Sequence, residues 1–369
     1  AQKYDKVLLQ TTSVADIVPP ETTIDVGLAE DQIVDQDSFT VKASAKGTGK
    51  QLITAMRLIV DGRPFQGTKG IKRFDVPLET AETSWDVPLT PGPHTFAVIA
   101  ETAVSKGMTK TVTITRKGEV PKPNLYVLAM GVSAYPGDMK LRYAASDATL
   151  LANAFKSQCK GVFANIEVNI LTDKKASKKG IQEGLDWLAS KMTAKDVGIV
   201  SFSGHGTRDP EGKFYLVPVD INPRDPFHTC FAGDEFKSRL DNMPGRLVAI
   251  LDACHSGEVA EHAQPPVSSD SLAQDLASED SGVVVMSASL GREYAIESQA
   301  SKAGFFTLGL VEGLGGLADV NEDGVIYINE LDMYAYARVH QLSHGQQHST
   351  TSLPPGIRPF PLATVTKAP

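Results

Sequence analysis

One of the three cysteines in this chain, Cys254, lies in the run Leu251-Asp252-Ala253-Cys254-His255-Ser256-Gly257. Upstream, His205 lies in Ser203-Gly204-His205-Gly206, 49 residues before that cysteine. A thiolate is a strong nucleophile, and a nearby imidazole can take the thiol proton. Each motif ends an apolar run, residues 197–202 before the histidine and 247–251 before the cysteine. Such short Val/Ile-rich runs read as strands buried on both faces of a parallel sheet. Ligands of open parallel sheets bind beyond the carboxyl ends of the strands. A lone cysteine is ordinarily an inert small hydrophobe. A histidine and a cysteine leaving two buried strands beside glycines instead predict a Cys–His dyad. The backbone N–H groups of Cys254 and Gly206 are the expected oxyanion donors, because glycine lets a substrate approach the backbone closely. No separate third catalytic residue is evident.

The elements that must position this pair fall in the second part of the chain. At 369 residues the chain is long enough for two or three domains and a sizeable core. Its 41% hydrophobic and 22% charged content is that of a globular protein. A net charge of −8 without a basic cluster excludes a nucleic-acid footprint. No apolar run approaches the length of a membrane span. Three cysteines make no disulfide framework, so a reducing, cytoplasmic setting is the simpler expectation. The start at Ala1-Gln2, without methionine, leaves open a trimmed precursor and a secreted or periplasmic setting.

Residues 1–117 have a different pattern. Phe39, Val41 and Ala43 alternate with polar neighbours, as do Phe96, Val98 and Ala100, and Val112 and Ile114. This is the signature of half-buried antiparallel strands. Asp61-Gly62 and Pro91-Gly92 are turn dipeptides. Short strands at close spacing predict an immunoglobulin-like β-sandwich, here without cysteines. Residues 118–123, within the Pro- and charge-bearing stretch KGEVPKP, form the expected linker, and residues 124–369 the expected catalytic domain. The sandwich is expected to be a spacer or a docking surface for a protein partner.

The two motifs resemble those of the caspase-like cysteine peptidases, the clan of caspases, metacaspases and bacterial orthocaspases, in which a histidine precedes the cysteine loop by about 50 residues. The resemblance extends over residues 124–365. Residues 124–135 look like the first strand, 141–155 (LRYAASDATLLANAF) like the first helix, 166–172 like the second strand and 177–192 like the second helix. The histidine segment 196–206, a helix over 231–243 and the cysteine segment 246–257 follow. Residues 282–289 resemble the strand that opens the small subunit, 305–315 and 329–340 later helices, and 360–365 the closing strand. An α/β fold with a mostly parallel sheet in three layers is implied, with a thiol endopeptidase activity. A sandwich placed before such a domain resembles an arrangement in bacterial members of the clan.

The same resemblance implies a specificity. Asp252, two residues before the cysteine, stands where metacaspases carry a pocket aspartate that takes Arg or Lys at P1. Asp147 in the first helix and Ser203 match further metacaspase pocket positions. Converging carboxylates suit a cation, and an arginine can be bound bidentately. Asp147 as a helix-surface carboxylate and Asp252 as a loop-fixing acceptor are the plainer readings. An acidic P1 preference and a silent scaffold module are the alternative functions; Asp252 disfavours the first, and the intact His205 and Cys254 the second. Residues 258–282 contain no Lys or Arg, so an enzyme of this specificity has no site for self-cleavage there and acts as a single chain. No cofactor is required by this chemistry. Calcium is a weaker expectation. Asp209 and Glu211 alone make an incomplete site after the histidine. Asp319, Asn321, Asp323 and Glu330 fall at EF-hand positions 1, 3, 5 and 12, with Gly324 at 6 and Tyr327 at the usually polar position 9. His340, His344 and His348 are spaced by four, but Gly345 breaks a helical metal site.

Overall fold

The computed structural model describes residues 18–27, 31–253, 270–276, 278, 281–289, 295–354 and 356–365. Cys254, residues 255–269 and Arg292 lie outside them. The chain forms two compact units, Ala1–Asp61 with Thr68–Val120, and Gly62–Gly67 with Pro121–Pro369.

The first unit is all β. Strand Ser38–Lys46 pairs antiparallel with Thr80–Pro88 over nine residues and with Glu21–Asp25 on its other side. Its alternation buries Val41, Ala43 and Ala45, while Thr80–Pro88 buries Ala81, Trp85 and Val87. A second sheet has Ile53–Val60 and Val112–Arg116 on either side of Gly92–Glu101. Phe96, Val98 and Ala100 therefore lie on a central strand. Its residues 95–100 are all buried, so the alternation seen at Phe39 is lost there. At the turn, Asp61 and Gly62 both adopt positive φ (52° and 79°), and the Asp61 carboxylate accepts from the Thr95 N–H at 2.9 Å.

The second unit is built on a six-stranded sheet. In chain order its elements are β1 (Leu125–Gly131), α1 (Ala144–Gln158), β2 (Ile166–Thr172), α2 (Lys178–Lys191), β3 (Val197–Ser203), β4 (Gly206–Arg208), β5 (Phe214–Leu216), β6 (Phe231–Ala232), α3 (Gly233–Asp241), β7 (Arg246–Asp252), α4 (Asp270–Leu276), β8 (Val283–Ser287), β9 (Glu297–Ser298), β10 (Ala303–Gly304), α5 (Phe305–Glu312), β11 (Val325–Tyr327), α6 (Ile328–Leu342), β12 (Thr350–Ser352) and β13 (Pro361–Thr364). The sheet order is β2-β1-β3-β7-β8-β12. The first five strands are parallel and β12 is antiparallel.

Successive residues of each central strand feed opposite layers. Val127, Ala129, Ile199, Val248 and Ile250 pack with Leu151 and Phe155 of α1, Phe306 and Leu310 of α5, and Leu331 and Val339 of α6. Leu128, Met130, Val200, Phe202, Ala249 and Leu251 pack with Ile181, Leu185 and Leu188 of α2 and Phe236 and Leu240 of α3. This double burial is why β3 and β7 read as largely apolar runs. Helix α2 starts where the Ser177 hydroxyl accepts from the Gly180 N–H at 3.1 Å. Gly131 ends β1 against the start of α1: a Cβ there would stand 2.3 Å from the Ala144 carbonyl oxygen. That close approach fixes the first turn of α1, with Asp147, at the carboxyl edge of the sheet.

Several expected boundaries shift. The helix expected over 231–243 begins at Gly233, because Phe231–Ala232 pairs with β5 in a three-stranded sheet with β4. The helix expected over 305–315 runs regularly only to Glu312 and then widens into a π-turn at Gly313–Leu317, where Gly316 takes φ 124°. The largest correction concerns the closing strand. Residues 360–365 contain β13, but it pairs with β11 outside the main sheet. The sheet is closed by the polar strand β12 against β8. The apolar character of the 360–365 run has another cause: Phe360, Leu362 and Ala363 are core residues under the α1–α5–α6 layer.

Candidate active site

Strands β3 and β7 lie in register, Ser203 beside Asp252, so the residues that follow leave the sheet side by side. The Gly204 N–H donates to the Asp252 carbonyl at 3.0 Å, which carries the pairing one residue further. Gly206 then comes against Ala253: a Cβ on it would stand 3.0 Å from the Ala253 carbonyl oxygen and 2.6 Å from the Phe214 ring. Only glycine fits between them. The histidine loop therefore touches the residue immediately preceding Cys254. Cys254 itself is outside the described residues.

His205 is 3% exposed and is held at three points. Its carbonyl accepts from the Val217 N–H at 3.0 Å. Its N–H donates to the Tyr135 hydroxyl at 2.9 Å. Its Nε2 lies 2.7 Å from the Met139 carbonyl oxygen. A carbonyl only accepts, so Nε2 carries the hydrogen, and Nδ1 is the basic nitrogen of the neutral ring. In an antiparallel ladder bonded and non-bonded pairs alternate. The bond between Val217 and His205 makes the next pair, Gly206 and Leu216, the non-bonded kind, which directs the Gly206 N–H away from β5.

A narrow cavity beside this loop is lined by Asp147, Ser203, Asp252, Glu297, Gly304 and Leu141, among others. Asp147, Ser203 and Asp252 are each more than nine-tenths buried. The structure thus brings together the three residues expected to shape a pocket. A Cβ on Gly304 would stand 3.4 Å from Oδ2 of both Asp147 and Asp252, so the two carboxylates face one point. Oδ1 of Asp147 accepts from the Gly304 N–H at 2.9 Å. Burial first, and then the nearby Asp252, pushes the Asp147 carboxyl up to about 8. Asp147 is thus a deeply placed acid, which sets aside its reading as a helix-surface carboxylate. Glu297 and Gly304, both far from the two motifs in sequence, were not singled out by sequence reasoning. They arrive through the short β9–β10 hairpin, which has no apolar periodicity to mark it.

The calcium candidates form a tight turn. Asp319 Oδ2 accepts from the Gly324 N–H (3.0 Å), Asn321 Oδ1 from the Asp323 N–H (2.9 Å), and Asp323 Oδ1 from the Val325 N–H (2.8 Å). Glu330 turns back to accept from the Tyr327 N–H at 2.9 Å and caps α6. One oxygen of each of these side chains serves the backbone of the turn. Asp209 is used likewise, accepting from the N–H groups of Glu211 and Lys213. Rings of His340 and His348 lie 5.3 Å apart. Among the described residues no group of three His, Cys, Asp or Glu is placed to hold a metal, and no helix is long and apolar enough to cross a membrane.

A doubly covered parallel sheet with a histidine and the approach to a cysteine at its carboxyl edge, beside a buried acidic cavity, defines a caspase-like α/β domain. The caspase domain family model matches residues 125–350, and the chain belongs to that family of cysteine peptidases. It is similar to metacaspase-4 of Arabidopsis thaliana, 32% identical over 117 residues, covering 28% of this chain and 26% of that protein. Metacaspase-6 of the same plant is 31% identical over 117 residues, covering 28% of this chain and 30% of the relative. The alignments thus span well under half of these relatives. Among solved structures, caspase-1 from Spodoptera frugiperda aligns at 13% identity with a TM-score of 0.42, covering 65% of this chain and 92% of that one.

Proposed function

We propose that this protein is a cysteine endopeptidase that cleaves after Arg or Lys, with Cys254 as nucleophile and His205 as its base. The observation that carries the specificity is the convergence of Asp147 and Asp252 on one buried point beside Gly304. Two carboxylates in one narrow buried cavity favour a cation and reject an acidic side chain. Glu297 adds a third acid to the wall. The cavity is closed to about the size of one water, so its walls must part as the side chain enters.

The chemistry follows from the held histidine. Nδ1 of His205 takes the proton from the Cys254 thiol, and the thiolate attacks the scissile carbonyl. The negative charge that develops on the carbonyl oxygen is met by the N–H groups of Gly206 and Cys254. The imidazolium, its Nε2–H steadied by the Met139 carbonyl, then protonates the leaving amine, and the amine departs. Water, activated by the same imidazole, releases the acyl group from sulfur. The stretch 258–282 carries no Lys or Arg, which supports action as a single uncleaved chain.

The experiment is P1 profiling of the purified protein on fluorogenic peptides ending in Arg, Lys or Asp. Turnover of the Arg and Lys peptides alone is expected. Cleavage after Asp without cleavage after Arg or Lys rejects the pocket assignment.

A further inference from the structure

The loop after β1 supplies Tyr135, which is 1% exposed. Its hydroxyl accepts from the His205 N–H at 2.9 Å and donates to the Val217 carbonyl at 2.8 Å. The Val217 N–H donates directly to the His205 carbonyl at 3.0 Å. Two strands at a bonded antiparallel pair ordinarily exchange both bonds directly. Here one is direct and the other runs through a phenol oxygen. The neighbouring pairs, from Gly206 with Leu216 onward, follow the ordinary ladder. The hairpin is therefore wedged open at one pair only, and that pair contains the histidine.

The same residue bounds the imidazole. Its ring centroid lies 4.6 Å from that of His205, at a tilt of 45°. Both hydrogen-bonding capacities of the hydroxyl are used, so it has no freedom to shift without breaking a bond. Gly204 closes the far side: a Cβ there would come 2.6 Å from the phenol oxygen.

We propose that the Tyr135 hydroxyl is a positioning group for His205, inserted into the His205–Val217 pair so that the imidazole leaves the hairpin with Nε2 on the Met139 carbonyl. Without the oxygen, the His205 N–H and the Val217 carbonyl close into a direct bond. The hairpin tightens, the imidazole turns away from Met139, and the support that its Nε2–H bond gives to the imidazolium weakens. The inference rests on His205 acting as the base.

The test is Tyr135→Phe, which keeps the ring and deletes the oxygen. On an Arg peptide, kcat falls roughly ten- to a hundredfold, as for a misplacement near 1 Å, while KM is unchanged. The acid limb of the kcat–pH profile moves to lower pH, because the imidazolium has lost support. A purely structural hydroxyl lowers Tm and leaves both kcat and the profile in place, and that result overturns the proposal. His205→Ala is measured alongside. Wild-type turnover by His205→Ala removes the dyad itself; a silent His205→Ala with an unaltered Tyr135→Phe removes only the positioning role. If Tyr135→Phe does not fold, Gly204→Ala presses on the same oxygen. Loss of kcat at constant KM is then expected, and unchanged kcat rejects the proposal.

Discussion

The buried acid pair makes binding of a basic side chain depend on pH. Asp147 is held near 8, first by burial and then by Asp252, where a free aspartate sits at 3.8. At pH 7 the empty cavity therefore holds a proton on this carboxyl. A guanidinium needs the carboxylate, so that proton must leave. Its removal costs about 1.4 kcal/mol at pH 7 and about 2.7 kcal/mol at pH 6. The affinity for a small cation such as benzamidine should thus rise about tenfold per pH unit from 6 to 8 and level off above. The rise should be accompanied by release of about one proton per ligand, read as a buffer-dependent heat in calorimetry. His205 is not among the residues that line this cavity. Asp147→Asn should flatten the profile and weaken binding at pH 9. Affinity that is flat from pH 6 to 9 in the wild-type protein would refute the reasoning.

The same carboxyl has a stability consequence of opposite sign to a paired aspartate. Its folded-state value lies above its unfolded one, so the native state binds the proton more tightly, and stability falls as pH rises from about 4 to 8. Asp147→Asn removes that penalty. Its Tm should exceed the wild type's by more at pH 9 than at pH 5, with a ceiling of about 6 kcal/mol, and activity should be lost. A lower Tm at pH 9 contradicts this. Iodoacetamide should label Cys254 ahead of Cys159 and Cys230, whose buried thiols are both pushed up to about 12; mass spectrometry of the peptides reads the order. Freshly purified active enzyme should run as one chain, and Arg292→Ala should keep its activity. Activity that appears only with a cut inside 258–282 would count against both the single-chain and the Arg/Lys assignments.

The parts of the fold that sequence reveals are those where burial is complete. β3 and β7 are covered on both faces, so their largely apolar runs mark both strands and the points where the His205 and Cys254 segments leave the sheet. β2, an edge strand half-buried at every residue, matches the expected range 166–172 that came from the order of elements in the resemblance. β12 escaped because it is a three-residue edge strand, Thr-Thr-Ser, with one neighbour and no apolar pattern. The apolar run at 360–365 was placed in the sheet because hydrophobicity records burial and not the partner. In the candidate site, Asp147, Ser203 and Asp252 were named from motif resemblance. Tyr135 and Met139 were not, since their work is done by a hydroxyl and a backbone carbonyl in a loop. Glu297 and Gly304 were missed because contact across 157 residues, as between Gly304 and Asp147, leaves no local trace.

The central claim is a Cys254–His205 peptidase whose pocket reads positive charge. Paired peptides that differ only in arginine or citrulline at P1 test it most directly, because citrulline keeps the shape and removes the charge. Loss of one partner from a buried charge pair costs about 2–5 kcal/mol, so kcat/KM should favour arginine by roughly thirty- to several thousandfold. Cys254→Ala should turn over neither peptide. Equal cleavage of the two peptides, or any retained turnover by Cys254→Ala, would contradict the account.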